Sequence, residues 1–306
     1  MAQRISAVIC TRDRVAYLSE ALASLREQSL RPDEFEIIVV DNGSSDGTAG
    51  FVEDACRAQT NLRYLFDARV GLSHARNQGW RGARAPIVAY LDDDAIAPPD
   101  WLERILASFD SIAPRPACVC GPVEPIWGAE RPHWLDEDLG RYYSILTRSE
   151  GAGWLLDGYF CGANMAFRRN VLERLDGFDT GLGRKGRALL SNEEVFLQRR
   201  LSALGEGVYY DPRVCIRHHV PPVRLTRRWI TRRVYWQGVS NAILWARLDG
   251  VGARQRAKAA AGSLRQMIRL TAALARAGFS GDRERVFRAT LRLVRRSGHF
   301  HGLLSR

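Results

Sequence analysis

The chain has 306 residues, of which 46% are hydrophobic, so it can bury a large core, and we expect one sizeable domain or one domain with an appendage. Its six cysteines show no repeated pair spacing, which argues against a zinc ribbon or a disulfide framework and predicts reduced thiols in a cytoplasmic protein. No stretch approaches the roughly 18 apolar residues of a membrane span, and the N-terminus leads into a strand pattern without a signal peptide, so we expect a soluble or peripheral protein.

The net charge of +11 is unevenly distributed. Residues 224–306 contain 19 Lys and Arg against 3 Asp and Glu, a net charge of +16, whereas residues 1–223 contain 26 against 31, a net charge of −5. A basic tail of this kind can attract nucleic acid, an anionic membrane surface or a phosphorylated substrate, or it can consist of solvated helix faces.

The first part of the chain alternates short apolar runs with helical periodicity. The apolar runs are 5–10, 35–40, 62–66 and 87–91. Helical segments are expected at 17–25, from the end of the loop 41–48 to about residue 57, and at 72–82. This alternation predicts a doubly wound, mostly parallel sheet with helices on both faces. Ligands bind such sheets at the carboxyl ends of the strands, where Thr11, Asp41 and residues 92–94 fall.

Three aspartates, Asp92, Asp93 and Asp94, directly follow the fourth apolar run. Carboxylates this close repel each other and raise one another's pKa unless a cation lies among them, and oxygen ligands suit Mg²⁺ or Mn²⁺. The alternative is a loop that caps the helix expected near Pro99. Glycine-rich phosphate-binding loops are absent from the sequence, so a bound nucleotide would rely on a metal and on arginine side chains.

The second half of the chain supplies further elements. An aromatic, weakly periodic segment spans 121–157, a helix opens at 191–194, strands are expected at 208–210 and 214–217, and three basic amphipathic helices follow at 225–247, 254–276 and 283–296. The aromatic rings suit either an acceptor platform or core packing. The two glutamates in the first turn of the helix at 191 suit the helix dipole.

Four segments in order carry a resemblance to a known family: ISAVICTRDR (5–14), IIVVDNGSSDGT (37–48), GLSHARNQG (71–79) and YLDDDA (90–95). Together they resemble glycosyltransferase family 2, inverting enzymes of the GT-A fold. The resemblance implies the following roles: Asp41 and Arg76 at the nucleoside base, Thr11 and Arg12 in its pocket, Asp92 and Asp93 in the nucleotide-sugar site with Asp92 at the ribose, and Asp94 on the metal.

The resemblance also extends to two later positions. Glu194 matches the family's general base, where the usual pair is Glu-Asp and this chain has Glu193-Glu194, so which of the two carboxylates faces the site stays open. His218 matches a histidine near the metal and the diphosphate. Each residue has an ordinary alternative: a turn for Asp41, a surface ion pair for Arg76, the helix dipole for Glu194 and a loop for His218.

The resemblance implies an inverting transfer from a nucleoside diphosphate sugar, UDP-linked, to a glycan, lipid-linked or small-molecule acceptor, with Mn²⁺ or Mg²⁺ as cofactor. We expect a catalytic domain at 1–223, with a donor half at 1–120 and an acceptor half at 121–223, and a basic helical region at 224–306. A cytoplasmic protein that contacts the anionic inner face of the membrane is expected, without a nucleic-acid partner. The alternatives are a sugar-1-phosphate nucleotidyltransferase and a nucleic-acid-binding protein that uses the basic tail.

Overall fold

The computed structural model describes residues 3–148, 151–155, 160–279 and 281–305. Within these ranges we number the strands β1 (Ile5–Thr11), β2 (Phe35–Asp41), β3 (Leu62–Phe66), β4 (Ile87–Asp92), β5 (Ala95–Ile96), β6 (Cys118–Cys120), β7 (Val123–Trp127), β8 (Gly153–Trp154), β9 (Asn164–Arg168), β10 (Val208–Tyr210) and β11 (Ile216–Val220). The helices are α1 (Val15–Arg26), α2 (Thr48–Ala58), α3 (Leu72–Gly82), α4 (Trp101–Ser111), α5 (Glu137–Gly140), α6 (Arg169–Arg174), α7 (Glu193–Ala203), α8 (Arg227–Leu248), α9 (Ala253–Phe279) and α10 (Arg283–Leu304). Two 3₁₀ turns lie at Arg141–Tyr143 and Pro222–Arg224.

The central sheet has eight strands in the order β3-β2-β1-β4-β9-β6-β10-β8. The first four strands are parallel, as the alternation of apolar runs and helices predicts. Strand β9 runs antiparallel to both β4 and β6, and β8 runs antiparallel to β10, so the sheet is mostly parallel but mixed. Every residue of β2 is buried, because helices cover both faces of the sheet.

Helix α3 packs closely on the sheet and so places Arg76 near the acidic residues at its carboxyl edge. Gly79 of α3 lies so near β1 that a Cβ atom there would be 2.5 Å from a methyl carbon of Val8. A larger residue would push the helix away from the strand. The side chain of Arg76, one turn earlier on α3, therefore reaches the carboxyl end of β4.

A second, three-stranded sheet in the order β5-β11-β7 lies beside the carboxyl edge of the main sheet. Strand β11 begins two residues later than the strand expected at 214–217 and continues through Val220, so His218 lies in a strand and not in the loop that was its alternative. The side chains of Ile216, His218 and Val220 are buried on one face of β11. His218 therefore occupies a strand position that is usually apolar. His218 pairs with Ala95 of β5, directly after the aspartates.

The three predicted C-terminal helices are confirmed as α8, α9 and α10, and α10 is eight residues longer than expected. The backbones of helices α8 and α10 are in close contact at Gly298, where a Cβ atom would lie 1.9 Å from the carbonyl oxygen of Tyr235. Both helices pack on the aromatic segment in one apolar cluster: Trp134, Leu135, Leu139, Tyr142, Tyr143, Val220, Ile230, Val234, Phe287 and Leu291. These aromatic rings therefore serve largely as core, and the boundary expected at residue 223 is bridged by shared packing.

Candidate active site

A cavity of about 380 Å³ opens at the carboxyl ends of β1 and β4. Eight of the residues predicted from the sequence line it: Thr11, Arg12, Arg76, Asp92, Asp93, Asp94, Glu194 and His218. They come from both sheets, from α3 and from α7, so residues separated by more than 200 positions in sequence meet around one space.

Asp41 does not line this cavity, whereas its neighbour Asn42 does. The buried Asp41 carboxylate accepts hydrogen bonds from the backbone N–H of Ser44 at 2.8 Å and from the hydroxyl of Tyr64 at 2.9 Å. Both carboxylate oxygens are thus engaged within the protein, and the contact of Asp41 with a nucleoside base stays a prediction.

The aspartate triplet does not cap α4, which begins seven residues after Asp94 with Asp100 at its N-cap. Instead, Asp93 accepts a hydrogen bond from the hydroxyl of Thr11 at 2.9 Å. Arg14 binds two carboxylates at once, with one nitrogen 2.5 Å from Asp93 and the other 2.7 Å from Asp94. One guanidinium group therefore offsets part of the repulsion within the triplet.

The two clamped carboxylates differ in proton affinity. Burial, with the negative charge of Asp94, raises the pKa of Asp93 to about 7. Burial also acts to raise the pKa of Asp94, but His218, Arg14 and Arg224 outweigh it and hold that pKa well below its ordinary value. The pair therefore carries less than two full negative charges near neutral pH.

Asp92, Asp94 and His218 form a cluster that fits a divalent cation. Each of the three offers one ligand atom, and these atoms lie within 4.8 Å of one another. His218 Nε2 is 3.0 Å from Asp94 Oδ1, while the buried His218 Nδ1 has no hydrogen-bond partner in the described part of the chain. The two carboxylates are oxygen ligands that suit Mg²⁺ and Mn²⁺, and an imidazole is a common ligand of divalent transition-metal ions.

The adjacent glutamates at the start of α7 have different surroundings. Glu193 forms a buried ion pair with Arg76 at 2.6 Å, and Arg76 also donates to the carbonyl oxygen of Gly162 at 3.0 Å and lies 3.4 Å from Asp92. Glu194 makes no ion pair within the described residues. Both glutamates are only 5% exposed, and each has one carboxylate oxygen without a hydrogen-bond partner in the described part of the chain. Burial, together with the charge of Glu193, raises the pKa of Glu194 well above its ordinary value.

Several arginines of the site were missed by the sequence reasoning. Arg14 follows Asp13, whose positive φ of 53° turns the chain back toward the strand end. Arg184, Arg224 and Arg233 also line the cavity and come from the region after residue 176. Burial and the nearby charges of Arg233 and Arg224 lower the pKa of Arg184 to about 9, so this side of the cavity is strongly positive.

A mostly parallel sheet with an acid cluster at its carboxyl edge, and a buried carboxylate lining the same cavity, suits an enzyme that binds a phosphorylated substrate. The family profile described as "Glycosyl transferase family 2" matches residues 6–176, more than half of the chain. The chain belongs to this family, and its fold is GT-A. Family membership selects the glycosyltransferase among the three functions considered from the sequence.

Named relatives agree with this assignment. The chain is 28% identical over 246 residues to a glucosyl-dolichyl phosphate glucuronosyltransferase of Haloferax volcanii, covering 79% of this chain and 77% of the relative. It is 27% identical over 308 residues to the succinoglycan biosynthesis protein ExoM of Rhizobium meliloti, covering 97% and 91%. The second alignment extends over nearly the whole chain, including most of the sequence that forms the C-terminal helices.

Among solved structures, the mannosyltransferase PcManGT from Pyrobaculum calidifontis, in complex with GDP-Man and Mn²⁺, superposes with a TM-score of 0.60 at 23% identity. The match covers 82% of this chain and 66% of that protein.

None of the helices in the described residues has the length and apolar character of a membrane span.

Proposed function

We propose that this chain transfers a sugar from a nucleoside diphosphate sugar to an acceptor hydroxyl, with inversion at the anomeric carbon. The observation that supports it most is Glu194, a buried carboxylate with raised pKa that lines the same cavity as Asp92, Asp94 and His218. A single displacement needs a base on the acceptor side and charge stabilisation on the leaving-group side. The cavity provides residues for both.

On the donor side, Asp92, Asp94 and His218 would hold a divalent cation, Mn²⁺ or Mg²⁺, which would supply Lewis-acid stabilisation of the departing diphosphate. Arg14 and Arg224, which already contact Asp94, would add positive charge beside it. For the nucleoside, the roles of Thr11, Arg12, Asp41, Asp93 and Arg76 rest on the family resemblance.

On the acceptor side, Glu194 takes the proton of the attacking hydroxyl. As the hydroxyl oxygen forms its bond to the anomeric carbon, the bond from that carbon to the diphosphate oxygen breaks, and the leaving group keeps the electron pair. A raised pKa suits Glu194 to this step, because a more basic carboxylate accepts a proton more readily. Glu193, held by Arg76, fixes the first turn of α7 and so the position of Glu194.

The test is release of nucleoside diphosphate from a panel of UDP- and GDP-linked sugars, with Mn²⁺ and with a chelator. We expect one donor, UDP-linked on the resemblance, to be turned over only in the presence of the cation, and we expect the Asp94→Ala variant to be inactive. No turnover of any donor by a chain whose folding is verified, or turnover that the chelator leaves unchanged, would contradict the proposal.

We also propose that α9 lies on an anionic membrane surface at the cytoplasmic side. Only Ala260, Ser263 and Ala277 of this 27-residue helix are buried. Exposed apolar residues recur at helical spacing along it: Ala257, Ala261, Leu264, Ile268, Ala275 and Phe279. Leu264, Ile268 and Phe279 are 49%, 65% and 92% exposed.

The charge of α9 favours lipid over a protein partner. The helix contains six Lys and Arg and no Asp or Glu, and residues 254, 258, 265, 269 and 276 adjoin the apolar stripe on one side.

Deleting residues 225–306 would expose the core that α8 and α10 share, so point variants are the better test. Ile268→Ser should weaken binding to phosphatidylglycerol vesicles, measured by sedimentation, by about tenfold, because the variant has less apolar surface to bury in the lipid. Gln266→Ser, on the opposite face of α9, should leave this binding unchanged. Equal binding to neutral and anionic vesicles would refute the proposal.

A further inference from the structure

A second cavity of about 180 Å³ adjoins the candidate active site at the proposed base. Ser191, Glu194 and Arg233 line both cavities. The remaining lining side chains are Arg141, Tyr142, Asn192, Gln237 and Arg295. A ligand whose reacting hydroxyl contacts Glu194 can therefore extend into this side cavity.

The side cavity is unusually basic. Arg141 comes from the 3₁₀ turn before β8, Arg233 from α8 and Arg295 from α10. The Arg141 and Arg233 guanidinium carbons lie 5.3 and 5.7 Å from the centroid of the Tyr142 ring, so they flank one aromatic side chain. Among the described lining residues Glu194 is the one carboxylate.

An anion placed among guanidinium groups that line one small cavity is attracted by all of them. Arg233 is only 6% exposed, so water screens its charge poorly. The lowered pKa of Arg184, caused by burial and by Arg233 and Arg224, indicates that the positive potential continues into the main cavity. An acceptor with a negative group is therefore favoured here over a neutral glycan.

We propose that the acceptor carries a phosphate group, bound by Arg141, Arg233 and Arg295 in the side cavity, while its hydroxyl contacts Glu194. This inference rests on the proposed transfer reaction and names the acceptor class. Arginines that approach from three separate elements suit a tetrahedral phosphate, whose several oxygens accept hydrogen bonds in different directions. The phosphate can belong to an isoprenoid phosphate glycolipid or to a soluble sugar phosphate.

The experiment uses the full chain, saturated with a nucleoside diphosphate and Mn²⁺, and calorimetric titration with two matched pairs of probes. One pair is farnesyl phosphate and farnesol, and the other is glucose 1-phosphate and methyl glucoside. The variants are Arg295→Gln and Arg141→Gln, both at exposed positions that tolerate substitution. Arg292→Gln, which removes the same charge from an exposed position of α10 outside the cavity, is the matched control.

We expect at least one phosphate probe to bind at least tenfold more tightly than its uncharged counterpart. Arg295→Gln and Arg141→Gln should each weaken that binding by about tenfold, as loss of one charged hydrogen bond does, and Arg292→Gln should not. Preference for farnesyl phosphate identifies a lipid acceptor, and preference for glucose 1-phosphate a soluble one.

The inference is overturned if the charged and uncharged probes bind alike or not at all, or if Arg292→Gln weakens binding as much as Arg295→Gln. Nucleotide and Mn²⁺ binding by the same samples separates this failure from failure of the proposed function. A chain that binds nucleotide with Mn²⁺ but not the phosphate probes loses only the acceptor assignment.

Discussion

Replacement of Glu194 by glutamine tests the catalytic proposal most directly. The side chain is buried, and one of its carboxylate oxygens has no hydrogen-bond partner among the described residues. Burial and the charge of Glu193 raise its pKa. Glutamine has nearly the same shape as the protonated carboxyl that this environment favours, so Glu194→Gln should fold normally. It removes the group that accepts the proton and leaves the donor side unchanged.

The expected loss in kcat is between about a hundredfold and ten-thousandfold, the usual contribution of a positioned general base. At 1.36 kcal/mol per factor of ten, this is about 3–5 kcal/mol of transition-state stabilisation. Donor affinity in the presence of Mn²⁺ should be unchanged, because the proposed cation ligands come from β4, the turn after it and β11.

Glu193→Gln is the matched comparison, since it makes the same chemical change one residue earlier. It breaks the 2.6 Å ion pair with Arg76 and leaves a buried charge that keeps only the Gly162 carbonyl and the more distant Asp92. The stability cost should be about 3 kcal/mol, the low end for breaking a buried pair. Thermal unfolding and steady-state kinetics of both variants are the assay. The assignment fails if Glu194→Gln keeps kcat within threefold of wild type, or if Glu193→Gln loses the greater share of kcat without losing stability.

Three further predictions concern the same cavity. Asp94→Ala should abolish transfer and weaken Mn²⁺-dependent donor binding, and unchanged calorimetric affinities for both ligands would contradict the metal assignment. Only the ionised form of Glu194 accepts a proton, so kcat should rise as the pH increases through the raised pKa of Glu194. Glu193→Gln removes the neighbouring negative charge and should move that rise in kcat to lower pH. A pH profile of kcat that does not move in this variant counts against Glu194 as the base. Arg14→Gln should lower stability in chelator by about 1–3 kcal/mol, because Asp93 loses the guanidinium group that pairs with it and Asp94 keeps only Arg224 and His218 as charged partners among the described residues. Saturating Mn²⁺ should restore more stability to this variant than it adds to wild type, and equal Mn²⁺ effects would refute this.

The donor half of the site was predictable because it depends on local order. Each apolar run ends at a polar residue, and parallel strands bring these ends to one edge, so Thr11 and Asp92 to Asp94 could be placed together without coordinates. Asp41 follows the same rule at the end of β2, yet its carboxylate turns to Ser44 and Tyr64. Strand position therefore predicts the edge but not the direction of each side chain.

The remaining residues depend on contacts that sequence spacing does not encode. Both Glu193 and Glu194 line the cavity, and the preference for Glu194 in our proposal depends on the ion pair of Glu193 with Arg76, which lies 117 residues earlier. Arg14 is brought to the aspartates by a positive φ at Asp13, an uncommon conformation for a residue other than glycine. His218 lies at a buried strand position, so the loop alternative for it is wrong, and the strand expected at 214–217 stopped one residue short of it.

The part of the cavity that we propose for the acceptor is built jointly by residues before α8 and by the C-terminal helices. The family profile ends at residue 176, before Glu194. The backbone N–H of Ser191 donates to the hydroxyl of Ser240 at 3.0 Å, and the Gln237 amide donates to Asn192 at 2.7 Å, so α8 holds the chain directly before Glu194. Since α8 also supplies Arg233, the helices expected as an appendage fix the position of the proposed base and the charge of the pocket beside it.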